Sequence, residues 1–178
     1  GIGLSTARRP ARPREGRGEV LVNGSLRKWL VPGIPFLVSL VLSATTVGTG
    51  VFWQDSGFYL VAVKGVEILY PPGFMLYVLL CKSWTLLLFF VDFTLAVHLF
   101  SAFCAALAAG TLAVAARDLL RARGSWFRVL EDEPGSLADW VGAATGCIVA
   151  AGYTFWFTGI YAKGYALYYF ILAQLLWR

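Results

Sequence analysis

Apolar and polar positions fall into long blocks along this chain rather than into short alternations. From Trp29 to Gln54 no residue is charged, and at about 1.5 Å per residue a helix of that length crosses a hydrocarbon core of about 30 Å. Pro72–Val91 is apolar with Lys82 near its middle, and Phe93–Ala116 is uncharged apart from the titratable His98. Trp140–Ala162 is again uncharged, and Gly164–Trp177 begins a further helix. The pattern predicts an all-α polytopic membrane protein. Small residues recur at helical spacing in Ala102, Ala106 and Gly110, and again in Gly142 and Gly146, which lets helices approach closely in lipid.

Composition narrows the class. The chain is 58% hydrophobic and 14% charged, with mean hydropathy +0.69. A soluble domain carries about 25% charge, so a water-soluble enzyme is excluded. Cys81, Cys104 and Cys147 are few, odd in number and set inside apolar runs, which excludes a disulfide-stapled secreted domain. The sole methionine is Met75 and the last residues, Trp177-Arg178, stand in an apolar stretch, so the chain reads as a piece of a longer protein.

Charge adds direction. Residues 1–28 carry a net charge of +5, equal to that of the whole chain. With Pro10, Pro13 and several glycines this segment reads as a disordered basic arm, placed in the cytoplasm beside anionic lipid rather than on nucleic acid. The first span is then a signal anchor that delivers Asp55 to the far side. If Pro72–Val91 also crossed, Lys82 would be buried in hydrocarbon at about 2.5–3.5 kcal/mol. Arg117, Arg121, Arg123 and Arg128 would moreover lie outside, against the positive-inside rule. Pro72–Val91 is therefore a juxtamembrane helix in the outer interface. Two regions follow: residues 1–28 as the arm, and 29–178 as a membrane module with 54–92 as its outer loop.

Asp55-Ser56-Gly57 leaves the first span with two readings. It caps the following helix, or Asp55 is a general base at the membrane surface, where a lipid-linked substrate presents its head group. The wider pattern bears on the choice. Trp53-Gln54-Asp55-Ser56-Gly57 is followed by Tyr70-Pro71-Pro72-Gly73-Phe74, then His98-Leu99-Phe100-Ser101-Ala102, then Trp156 with Tyr165-Ala166-Leu167 nine residues on. This resembles the front part of the transmembrane protein O-mannosyltransferase-like family of GT-C glycosyltransferases, over about Gly50 to Leu176. Asp55, Ser56, Gly57, Pro71, Pro72, Gly73, Ser101, Trp156, Tyr165 and Leu167 match its pattern. Phe58 and Lys163 stand where that pattern has glutamates, Tyr70 where it has histidine, and His98 where it has asparagine.

The resemblance implies a GT-C-like arrangement of helices and transfer of a sugar, plausibly mannose, from a polyprenyl-phosphate donor to an acceptor hydroxyl on protein. Asp55 carries over as the base of an inverting displacement. Tyr70, His98, Lys163 and Tyr165 carry over as substrate-binding positions, with Lys64, Lys82 and Lys163 as local cations for the leaving phosphate. Ser56, Gly57, Pro71, Pro72, Gly73 and Trp156 are the motif's structural members. His98 also reads as a satisfied polar residue near a helix start, and the later tyrosines as an interfacial aromatic belt. One histidine and the loop carboxylates Asp55 and Glu67 are a thin ligand set, so no metal or other cofactor is expected. The departures at Phe58 and Lys163 leave a second function open, a membrane scaffold that keeps the fold without catalysis.

Overall fold

The computed structural model of the chain describes residues 17–50, 56–68, 74–122 and 136–178. Every regular element among them is a helix: α1 (Arg17–Thr46), α2 (Ser56–Gly65), α3 (Met75–Leu87), α4 (Phe93–Ala122), α5 (Ser136–Ala151), α6 (Tyr153–Ile160) and α7 (Tyr165–Trp177). Within α1, Lys28–Thr46 is long and apolar enough to cross a membrane, as is α4. The α5–α6 pair passes the same test as one span bent by 63°.

Helix α4 is the axis of the bundle and touches each of the other six helices. Its buried face is built from alanines, among them Ala102, Ala105, Ala106, Ala109 and Ala113, with Gly110 between them. Such a face brings neighbouring backbones close, which in lipid substitutes van der Waals contact for the absent hydrophobic drive. A Cβ on Gly110 would lie 2.9 Å from the Pro32 carbonyl oxygen, and one on Gly142 would lie 2.7 Å from that of Ala113. The small residues picked out by their spacing are thus the contact points of α4 with α1 and α5.

The contacts also give the directions. Pro32 of α1 meets Gly110 of α4, while Ser43 of α1 and Ala105 of α4 both meet Gly159 of α6. Helix α1 therefore runs antiparallel to α4 and parallel to α5–α6. Gln174 bonds Thr111 at 3.1 Å and Trp177 bonds Asp118 at 3.0 Å, so α7 runs parallel to α4. One pole of the bundle gathers the ends of α1 and α6 and the starts of α4 and α7. The opposite pole holds Lys28, Arg117, Arg121 and Trp177.

Helices α2 and α3 form a hairpin over the first pole. Helix α3 has 13 residues, about 20 Å of rise against a core of about 30 Å, so it is too short to cross. Lys82 donates from Nζ to the Lys64 carbonyl at 2.9 Å, at the C-terminal end of α2 where carbonyls lack helical partners. Helix α2 stops in a Schellman turn: the Glu67 amide donates to the Ala62 carbonyl at 2.9 Å and Val66 sits at φ 56°. A β-branched residue there is strained. Val66→Gly is expected to stabilise the hairpin by about 0.5–1 kcal/mol, after the glycine's own entropy cost. A melting temperature at or below that of the parent chain would refute the strain.

One boundary and one bend differ from what the sequence predicts. The basic segment was expected to stay an arm up to Lys28, yet the helix begins at Arg17. Pro10 and Pro13 lie before Arg17, and residues added to an existing helix propagate without a new nucleation cost. Residues 1–16 lie outside the described residues. Trp140–Ala162 was expected to be one span, and the α5–α6 pair counts as one span with a 63° bend that the sequence did not reveal, at Gly152, which is extended at φ −60° and ψ 130°.

Candidate functional site

The first pole is lined from four directions. His98, one turn into α4, is fully buried, and its ring lies against the backbone of Gly50 and of Ile160. It therefore joins the segment that leaves α1 to the end of α6. Ser101, one turn further along α4, is buried with it. The Ser101 Oγ is 3.2 Å from the Tyr77 hydroxyl of α3 and 3.5 Å from the Lys163 carbonyl, to which it donates. Burial holds the Tyr77 phenol well above its ordinary pKa, and the nearby Cys81 adds to this. Tyr77 is thus a neutral hydroxyl at any physiological pH, and it ties α3 to α4 at the α6–α7 junction.

Lys163, in that junction, is 8% exposed. Its amide donates to the Tyr161 carbonyl at 2.8 Å, which turns the chain sharply before α7. Tyr165 follows at the start of α7, partly exposed, with its ring edge-on to Phe74 at 6.3 Å. Phe74 is the hub on the α3 side. It adopts φ 39° and ψ 32°, and packs on Tyr59 at 5.8 Å. A Cβ on Gly164 would lie 2.8 Å from its ring. A bulky residue held in the left-handed region persists only where its surroundings over-determine it, and here they do.

Ser56 opens α2 and is fully buried, its hydroxyl without a hydrogen-bond partner among the described residues. A buried hydroxyl left without a partner costs about 1–3 kcal/mol. Trp156 of α6 donates from Nε1 to Thr46 Oγ1 at 2.8 Å and fastens α6 to the end of α1. Among the described residues no three His, Cys, Asp or Glu side chains gather around a common point.

Of the positions singled out in the sequence, His98, Ser101, Lys163, Tyr165 and Trp156 come together at this pole. Asp55, Tyr70, Pro71, Pro72 and Gly73 lie outside the described residues, next to the described Ser56 and Phe74. Gly57 follows Ser56 in the first turn of α2, and Lys64 and Lys82 close the far end of the hairpin. Tyr77 and Phe74 were not anticipated as site residues. The signal available for Phe74 was its place directly after Pro71-Pro72-Gly73; for Tyr77 it was a hydroxyl one turn further on.

From Asp55 to Arg178 the chain matches the family model of the protein O-mannosyl-transferase TMEM260 N-terminal domain. The chain belongs to this family. The match opens at Asp55 and covers His98, Ser101, Trp156, Lys163 and Tyr165. No curated protein and no solved structure shows significant similarity to it. Membership in the TMEM260 family supports the glycosyltransferase class expected from the motifs, and the apolar helices agree with a membrane protein.

Proposed function

We infer that this chain is the membrane-embedded front of a GT-C-type enzyme that moves mannose from a polyprenyl-phosphate donor to a hydroxyl on protein. The acceptor oxygen attacks the anomeric carbon as its bond to the phosphate oxygen breaks. Asp55 takes the acceptor proton, the sugar inverts, and polyprenyl phosphate leaves. The observation that carries the reading is Ser56. It follows Asp55 where the family match begins, at the start of α2, and its buried hydroxyl lacks a partner among the described residues.

The remaining roles follow from position. His98 holds the segment leading from α1 toward Asp55, so it acts on substrate binding by fixing that approach. Lys163 brings a cation to the same pole, where it meets the donor phosphate, with Tyr70 and Tyr165 beside the sugar. Lys28, Arg117 and Arg121 share the opposite pole, which supports a cytoplasmic basic end, residues 1–28 included, and an extracytoplasmic site built on 54–92. The membrane module is then 29–178. Its partners are the lipid-linked donor, membrane lipid and a protein acceptor, without nucleic acid.

The test is transfer of labelled mannose from polyprenyl-phosphate mannose to acceptor protein by the full-length enzyme in lipid. Lys163→Glu places like charge beside the donor phosphate. It is expected to raise KM for the donor about tenfold, a 1.4 kcal/mol loss, with a smaller change in kcat at saturating donor. Unchanged donor KM would remove Lys163 from the phosphate. A wild-type enzyme that transfers nothing to any acceptor would favour the scaffold.

A further inference from the structure

Three buried groups from three segments meet in one line at the first pole. The Tyr77 hydroxyl of α3 lies 3.2 Å from Ser101 Oγ of α4, and Ser101 Oγ donates to the Lys163 carbonyl between α6 and α7 at 3.5 Å. A hydroxyl has one proton to give. Ser101 directs its proton at a carbonyl, which can only accept, so the Tyr77 hydroxyl is the donor of the first link. The line from Tyr77 through Ser101 to Lys163 therefore has one direction. It needs a phenol that keeps its proton, and burial, with Cys81 nearby, holds the Tyr77 pKa well above its ordinary value. The second link is long for an O–H···O bond, ordinarily about 2.7–2.8 Å, so the line steers the turn rather than clamping it.

The donor end of this line is fixed by packing. Tyr77 is 1% exposed, and its ring stands edge-on to those of Tyr59 and Phe100, each at 5.4 Å. The receiving end is a turn of residues 161–164 whose internal bond, from the Lys163 amide to the Tyr161 carbonyl at 2.8 Å, stays within three residues and does not tie it to the bundle. Ser101 supplies such a tie at Lys163, and Phe74 presses on the next residue, since a Cβ on Gly164 would lie 2.8 Å from its ring. The carbonyl carbon of Lys163 is bonded to the Cα that carries its side chain, so moving one moves the other. We propose that Tyr77 is a positioning residue for Lys163: its hydroxyl orients Ser101, which sets the lysine's backbone and hence the place of its cation at the pole. The bearing on sugar transfer rests on the reading of Lys163 as the cation that meets the donor phosphate, whereas the positioning itself does not.

Two measurements on the full-length enzyme in lipid keep these apart. The first needs no transfer: maleimide labelling of Lys163→Cys, counted above that of the parent chain. Adding Tyr77→Phe, which removes the hydroxyl and keeps the ring, is expected to change the labelling rate by at least about threefold, the weight of one neutral hydrogen bond. Leu137→Cys, at the opposite pole, should label at the same rate with and without Tyr77→Phe. The second measurement is donor kinetics. Tyr77→Phe is expected to raise KM for polyprenyl-phosphate mannose about three- to tenfold, with kcat within about twofold of the parent. In a Lys163→Gln background Tyr77→Phe should no longer move KM, because its effect passes through the lysine, whereas a general loosening would still move it. Ser101→Ala removes the middle link, reproduces both results, and serves if Tyr77→Phe fails to fold. Labelling of Lys163→Cys unchanged by Tyr77→Phe and by Ser101→Ala overturns the proposal, as does an equal change at Leu137→Cys or a KM effect that persists with Lys163→Gln. Altered labelling with an unchanged donor KM upholds the positioning and removes Lys163 from the phosphate.

Discussion

Asp55→Asn in the full-length enzyme should lower mannosyl transfer by at least about a hundredfold, the lower range for loss of a general base, with membrane insertion and protein level unchanged. The substitution separates the two roles that the sequence allows at this position. Asparagine caps a helix about as well as aspartate, so the start of α2 and the burial of Ser56 behind it are retained. What it cannot do is take a proton from the acceptor hydroxyl at neutral pH. Activity matching the parent enzyme, at equal protein level, would make Asp55 a cap and nothing more. The inference from Ser56 would then need another base.

The second large effect is structural. A Cβ on Gly146 would lie 2.7 Å from Pro35 Cγ and 2.8 Å from both Pro35 Cβ and Ala113 Cβ. These atoms belong to the ring of a residue in α1 and the backbone-bound methyl of one in α4, so neither side can swing away. Gly146→Leu is expected to cost at least the roughly 1–3 kcal/mol of an overpacked core, and to separate α5 from α1 and α4 because the excess is whole branches rather than one methyl. Loss of the monodisperse chain on size exclusion, or a fall in melting temperature of several degrees, is the readout. The contrast with Gly33, two residues before Pro35 in α1, where a Cβ meets nothing within 4 Å, makes the pair a test of the packing itself. A Gly146→Leu chain as stable as Gly33→Leu would contradict the three-helix contact.

Hydropathy made the spans legible because the cost of a charge in lipid is large and local. Lys82, with the arginines from Arg117 to Arg128, kept Pro72–Val91 from being read as a crossing, and within it α3 is a helix of 13 residues. The small residues of α4 and α5 were legible for a similar reason, since close approach demands them. The bend at Gly152 was not: a hydropathy window averages over the break, and both flanks are equally apolar. Nor were the links among Tyr77, Ser101 and Lys163, which join positions 24 and 62 residues apart. Such contacts depend on which faces of α3 and α4 meet, and neither face is marked by a polar stripe. The motif residues were legible through family resemblance, whereas Phe74 acquires its importance only when α7 brings Gly164 beneath its ring.

The break at Gly152 has a mechanical consequence. Helix α6 is cut from α5 but fastened to α1, by Trp156 to Thr46 at 2.8 Å and by the close seat of Gly159 on Ser43. Gly159 also meets Ala105 of α4, and only residues 161–164 separate the end of α6 from α7. Gly146 seats α5 on Pro35 of α1, so a tilt of α1, such as a thinner bilayer imposes, loads both halves of the bent span. The turn that carries the buried lysine is thereby anchored from two helices at once, from α1 through Trp156 and from α4 through the Ser101 bond to the Lys163 carbonyl.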